Sequence, residues 1–384
     1  MRKYRFIISV ISVLLLVAAV FSIFAGRIVT AAAKGQLKKS FPGSEVYIAG
    51  CNFNPARGLA FKDIEIKTGK IYDFKIKDLR ILYNIPSILR GGILGVYLGD
   101  SSFAVDLGRK DISEIQNIFS GGQKGAFNVE NISISNLNLK LRARDIEFIG
   151  SLSSEVDLNA RLIKHIDLKI DSLEAKGVSL EGAHIKGWPA DTGADLYIKK
   201  AKYSDVMLSD ASGKAYIKGG TVFLKTLKAG LFGGYIDGNI DFDADKTARF
   251  VMNVNFTALD IGTFVKELKM DNKFQMTGKL NGAVALEGEG LAVTGAAGNF
   301  LTDPEGGLLV IKDTSFLENM ARESKKPLEV VMEGFKNYQY NTGIIKLTLG
   351  GNDLVLSIQL DGQAGKRDFN VILHDVIMGK RRML

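Results

Sequence analysis

The feature that most limits what this chain can become is a period of two that runs through most of it. It is clearest from Ile236 to Thr257. Ile236, Gly238, Ile240 and Phe242 alternate with Asp237, Asn239, Asp241 and Asp243. After Ala244-Asp245-Lys246-Thr247, Phe250, Met252, Val254 and Phe256 alternate with Val251, Asn253, Asn255 and Thr257. Successive side chains on a strand point to opposite faces, so this is a hairpin with one apolar and one wet face. The same rhythm recurs at Ile64 and Ile66, at Phe103, Val105 and Leu107, at Val156, Leu158, Ala160 and Leu162, at Ile166, Leu168 and Ile170, and at Phe369, Val371 and Leu373. Ile345, Leu347 and Leu349 face Leu354, Leu356, Ile358 and Leu360 across Gly350-Gly351-Asn352-Asp353, a second hairpin. Between Ile134 and Leu137 the apolar parity changes across Ser135-Asn136, which predicts a turn or bulge.

Helix-like stretches are few and short. Thr30 to Ser40 is expected to be helical up to Pro42-Gly43, and Ile85 to Leu89, Asp111 to Phe119, Asp260 to Leu268 and Ser315 to Glu323 are short helices. Leu328, Val331, Met332 and Phe335 make one amphipathic helical face. Roughly two dozen short strands with so few helices leave an apolar sheet face that must cover itself or take up something apolar. A dry sandwich or barrel is one solution. A curled antiparallel sheet with an open hydrophobic groove is the other. Periodicity does not separate them, although 384 residues exceed the size at which one core stays practical and so favour an elongated form. The candidate groove-facing residues are Ile236, Ile240, Phe242, Phe250, Met252, Val254, Phe256, Leu286, Leu354, Leu356, Ile358 and Leu360.

Phe6 to Ala25 carries no charge and, at about 1.5 Å per residue, spans the ~30 Å of a hydrocarbon core. It is longer than the apolar core of a cleaved signal peptide, and Ala31-Ala32-Ala33 lies well past its end, so it reads as an uncleaved transmembrane helix. Arg2, Lys3 and Arg5 before it favour an N-terminus inside, which puts the rest of the chain outside the cytoplasm. The expected layout is a membrane anchor over 1–33, a first β region over 34–195 and a second over 196–384, with a break near Gly187-Trp188-Pro189.

No catalytic constellation is present. His165, His184 and His374 stand far apart without partners at metal-ligand spacing, and Gly288-Glu289-Gly290 with Gly295 does not make a dinucleotide fingerprint. Neither a metal nor a cofactor is expected, and enzyme activity is not. The formal charge of +8 is spread singly along strands, which suits an anionic lipid surface and argues against nucleic acid. Cys51, the single cysteine, follows Ile48-Ala49-Gly50 as in a lipoprotein box, but a polar stretch separates it from the apolar run, so it reads as an ordinary buried thiol. Trp188 reads as a packing residue.

Leu231-Phe232-Gly233-Gly234-Tyr235-Ile236-Asp237-Gly238 resembles a strand pair of the AsmA-like family of bacterial envelope proteins. Leu259 to Phe264, Gly278 to Gly282, Leu286 to Gly290, Gly298-Asn299-Phe300 and Gly306-Gly307-Leu308 continue the likeness. Gly58 to Ile64 and Leu79 to Leu89 resemble the start of such proteins, and Leu328 to Leu373 resembles the end of YdbH-type members. The resemblance implies an inner-membrane anchor in a diderm bacterium and a periplasmic β-groove that conducts phospholipids toward the outer membrane. It carries no catalytic residue. Beyond Phe369–Leu373, with its basic close Lys380-Arg381-Arg382, the expected partner is an outer-membrane lipoprotein or a second copy of the chain.

Overall fold

The computed structural model describes residues 26–41, 43–54, 56–69, 71–108, 128–218, 220–243, 248–290, 292–351 and 353–373. The apolar run Phe6–Ala25, the turn Ala244–Thr247, the helix expected at Asp111–Phe119, His374 and the basic close Lys380–Arg382 lie outside them. Among the described residues no helix is long and apolar enough to cross a membrane. The protein is mainly β, with twenty strands among the described residues, and it divides into two units, Met1–Asp191 and Thr192–Leu384.

In the first unit β1 (Glu45–Asn54), β2 (Gly58–Thr68), β3 (Tyr72–Leu82) and β4 (Gly92–Asp106) pair in sequence. They are joined by β5 (Asn128–Ala143), β6 (Ile146–Asp157), β7 (Leu162–Ala175) and β8 (Val178–Trp188). Every pair is antiparallel except β4–β5, which is parallel. That departs from the all-antiparallel expectation, and the stretch 107–127 between the two strands supplies the long crossover a parallel pair requires.

A line of irregularities crosses these strands. Asp63 in β2, Asp100 in β4 and Asn136 in β5 all have positive φ, and the pairing skips each of them. Asp and Asn tolerate this left-handed conformation better than other side-chain-bearing residues. Asn136 Nδ2 donates to Asp100 Oδ1 at 2.9 Å, tying one irregularity to the next. Each extra residue restores the parity, so Phe61 and Ile64, Ile76 and Leu79, and Ile134 and Leu137 stay on one face although three positions apart.

A helix over 26–40 covers the first three strands. Val29, Ala33, Leu37 and Phe41 recur every fourth residue and pack on Val46, Ile48, Phe61, Ile64, Ile66 and Phe74. Gly26 sits so close to β1 that a Cβ there would stand 2.7 Å from the Cys51 carbonyl oxygen. Cys51 is half-buried, and burial pushes its thiol up, as expected for an inert sulfur.

The second unit pairs β9 (Gly193–Tyr203), β10 (Val206–Lys218), β11 (Thr221–Leu231), β12 (Gly234–Asp243) and β13 (Arg249–Asp260) in order. The ladder continues through β15 (Lys279–Glu289), β16 (Ala292–Thr302), β18 (Tyr338–Gly350), β19 (Asp353–Gly362) and β20 (Gly365–Leu373). The short strands β14 (Phe274–Met276) and β17 (Gly307–Ile311) pair with each other, and β17 pairs with β18. The helices Ile261–Glu267 and Thr314–Ser324 start at Asp260 and Asp313, whose carboxylates accept from Thr263 N and Phe316 N. With the helix Leu328–Phe335 they lay Ile261, Val265, Leu317, Ala321, Val331 and Phe335 on the sheet.

Candidate functional site

Cross-strand register arranges the apolar residues of the first unit in rows. Phe103, Leu139, Gly150, Ile170 and Ala183 are successive neighbours from β4 to β8. Ser101, Leu137, Leu152, Leu168 and Ile185 form the next row, and Leu98, Ile134, Ser154, Ile166 and Gly187 the one after. Val96, Ile132, Val156 and Ile163 form a fourth. The opposite face is polar. There the His184 ring nitrogen lies 2.9 Å from Asp167 and Lys186 Nζ 3.4 Å from it. Burial raises the Asp167 carboxyl, but the hydrogen bonds from His184 and Lys186 outweigh it and the net shift is downward. Trp188, contrary to the packing role expected of it, is largely exposed, its ring 5.3 Å from that of His165.

What sets these rows apart is their cover. Apart from Leu137, Ala183 and a few small residues, the row members on β5–β8 are half-exposed. Among the described residues, none of the three core clusters draws a residue from β5–β8. Among the described residues these rows therefore form an apolar surface several strands wide, bordered by a charged face and outside the core clusters.

In the second unit the rows are graded. Ile236, Phe256, Gly282, Phe300, Ile345, Ile358 and Phe369 make one row. Its β16–β20 portion lies in the cluster that the helices cover, where Phe369 meets the rings of Phe316 and Phe335. Gly238, Val254, Val284, Gly298, Leu347, Leu356 and Val371 come next. Farther out, Ile240, Met252 and Leu286 form a third row, and Phe242, Phe250 and Gly288 a fourth.

The twelve sequence candidates therefore share a face but not an environment. Ile358 and Leu360 are buried in the helix-covered cluster, with Phe256, Leu286 and Leu356 packed against it. Ile236 and Val254 belong to a second cluster with Met252 at its edge. Ile240, Phe242, Phe250 and Leu354 are half-exposed and belong to none of the clusters. The half-exposed rows of the first unit, on β5–β8, were not among the candidates. Their signal in the sequence is the alternation of Ile and Leu with polar residues, strand after strand from Ile132 to Ile185, with no helical segment among them.

The glycines of the second unit make room for rings. A Cβ on Gly278 or Gly307 would stand 2.5 Å from the Tyr340 hydroxyl, which donates to the Thr277 carbonyl oxygen. Tyr340 is 2% exposed, and burial pushes its hydroxyl up to about 12. The unfolded value is about 10, so between these limits the folded state holds the proton more tightly. Stability from this group is complete below about pH 10 and is lost as pH rises through about 12. Thermal melts of wild type should fall across that window. Tyr340→Phe should cost about 1 kcal/mol at neutral pH and flatten the alkaline fall; an unchanged slope would place the titration elsewhere.

Among the described residues no cluster of three or more metal-ligating side chains occurs. Comparison with curated proteins and with solved structures gave no match. Residues 183–300, which run from within β8 to within β16, match the family model of the AsmA family, and over that stretch the chain is AsmA-like.

Proposed function

We propose that this chain is a membrane-anchored lipid-transfer protein of the bacterial envelope. It holds or conducts phospholipid acyl chains on the apolar face of its sheet, on the periplasmic side of the inner membrane, and performs no chemistry. The observation that carries this reading is the set of half-exposed apolar rows on β5–β8, which join none of the core clusters among the described residues. Water gains nothing there, whereas hydrocarbon would bury each half-exposed side chain at about 25 cal/mol per Å². The AsmA match and the uncharged run Phe6–Ala25 support the same setting.

One observation favours a second reading, a non-conducting envelope scaffold. The helices over β16–β20 make a dry core of ordinary kind, with Leu309 and Leu360 each 1% exposed. The two readings part on cargo. Mass spectrometry of the full chain, purified in mild detergent, should find co-purifying phospholipid in amounts comparable to protein. Lipid-free protein would leave the scaffold as the better description.

A further inference from the structure

One end of the first unit carries an inverted surface. The helix Ile85–Leu89 turns its polar residue inward: Ser87 is buried and bonded to the Asn84 cap in both directions. Its apolar residues face outward, with Leu89 82% and Ile85 59% exposed and Ile88 beside them. A helix in water does the reverse. Leu82, which precedes it, and Leu158, in the turn after β6, are exposed at the same end. Among the described residues, the large apolar or aromatic side chains exposed toward the opposite strand ends are Tyr47, Ile71 and Val178, which sit singly on strands or turns and not together on one helix.

The chain itself says what this end meets. Gly26, the first described residue of the helix over 26–40, lies against Cys51 of β1. The helix ends at Phe41, against Tyr72 and Phe74 at the far end of the strands. Cys51 pairs with Phe61 and Phe61 with Leu79, three residues before Leu82. The apolar run Phe6–Ala25 therefore joins the unit at the same end as the helix Ile85–Leu89. Ile28, two residues after Gly26, is 69% exposed there. Arg27, Arg57, Arg90 and Arg161 are exposed around the apolar side chains. Exposed Ile and Leu ringed by arginine is the composition that enters the boundary between headgroups and acyl chains.

We propose that this end of the first unit rests in an anionic membrane surface, with Ile85, Ile88 and Leu89 inserted as a second, interfacial contact beside the span. The inference rests on the lipid-transfer reading and on Phe6–Ala25 being the span. The row nearest this end, Val96–Ile132–Val156–Ile163, then opens directly onto the bilayer and forms the mouth through which acyl chains reach the uncovered face.

The test uses the full chain with Cys51→Ala, reconstituted in vesicles of phosphatidylethanolamine and phosphatidylglycerol containing a nitroxide-labelled phospholipid. An environment-sensitive fluorophore is attached in turn at Leu89→Cys, Ile71→Cys and Val13→Cys. Emission at positions 89 and 13 should drop by about half or more, and emission at 71 should not. Quenching at 13 without quenching at 89 overturns the interfacial contact and leaves the span standing. Equal quenching at 89 and 71 overturns it as well, because the contact would then have no preferred end. Quenching at 89 without 13 removes the span on which the inference rests and overturns it as stated. Quenching at neither removes both.

Discussion

Leu168→Asp is expected to leave a folded chain stripped of lipid, whereas Leu360→Asp should leave no folded second unit. The two leucines occupy the same kind of position, inward on a strand, and differ in what lies over them. Leu360 is 1% exposed and packed among the helices, its Cδ2 2.7 Å from where a Gly343 Cβ would be. A carboxylate there has neither water nor a partner, and the cost of several kcal/mol is comparable to the ~5–15 kcal/mol that holds a domain together. Leu168 lies half-exposed between Leu152 and Ile185. A carboxylate there reaches water, so the loss should be about 1–2 kcal/mol. In the lipid-transfer reading it also puts a charge in the path of the acyl chains. Thermal unfolding and lipid phosphorus per chain, measured on both variants, separate the effects, with Gln359→Glu on the wet face as the silent control. If Leu168→Asp unfolds as Leu360→Asp does, the β5–β8 face is dry and the scaffold reading replaces the groove.

The contrast also explains which parts of this fold are legible without a structure. The hairpin β12–β13 and the hairpin β18–β19 follow from alternation and turn residues, because both signals are local. The helix start at Asp260 and the helix Ile85–Leu89 are local too. The irregularity at Asn136 is readable as a step of three between apolar residues. The one at Asp100 is hidden, because its step runs from Leu98 to Ser101, a buried serine within an apolar row. Alternation is the same in parallel and antiparallel strands, so the direction of β5 against β4 leaves no local trace. Cover is the least legible of all. Ile240 and Ile358 have the same parity and similar neighbours in sequence, yet one is half-exposed and the other lies beneath helices. That difference depends on which rows the helices reach, a matter of long-range register.

Gly282→Val should lower the melting temperature of the second unit by on the order of 10 °C, against the sign that strand propensity predicts. Valine is a better strand former than glycine, worth up to about 1 kcal/mol on an open sheet surface. At Gly282 the space is already taken. A Cβ would stand 2.3 Å from the Asn299 carbonyl oxygen and 2.6 Å from Phe300 Cδ1 on the neighbouring strand. The ring of Phe300 folds over the glycine, as Phe250 folds over Gly288 across β13 and β15, so the aromatic fills the place of the missing side chain. Phe300 also meets Phe256, at 5.3 Å between ring centres, and is itself buried, so it has nowhere to turn. The backbone oxygen has still less freedom. Overpacking a core typically costs about 1–3 kcal/mol, and a clash with main chain belongs at or above the upper end. Gly350→Val is the matched comparison. Gly350 is an exposed glycine of β18 whose Cβ would have Val355 Cγ2 at 3.9 Å as its nearest neighbour, so propensity should decide there and the variant should be neutral or slightly stabilised. A Gly282→Val protein melting with wild type would mean that Phe300 does not fold over this glycine and that the glycines of the AsmA-like stretch have another cause.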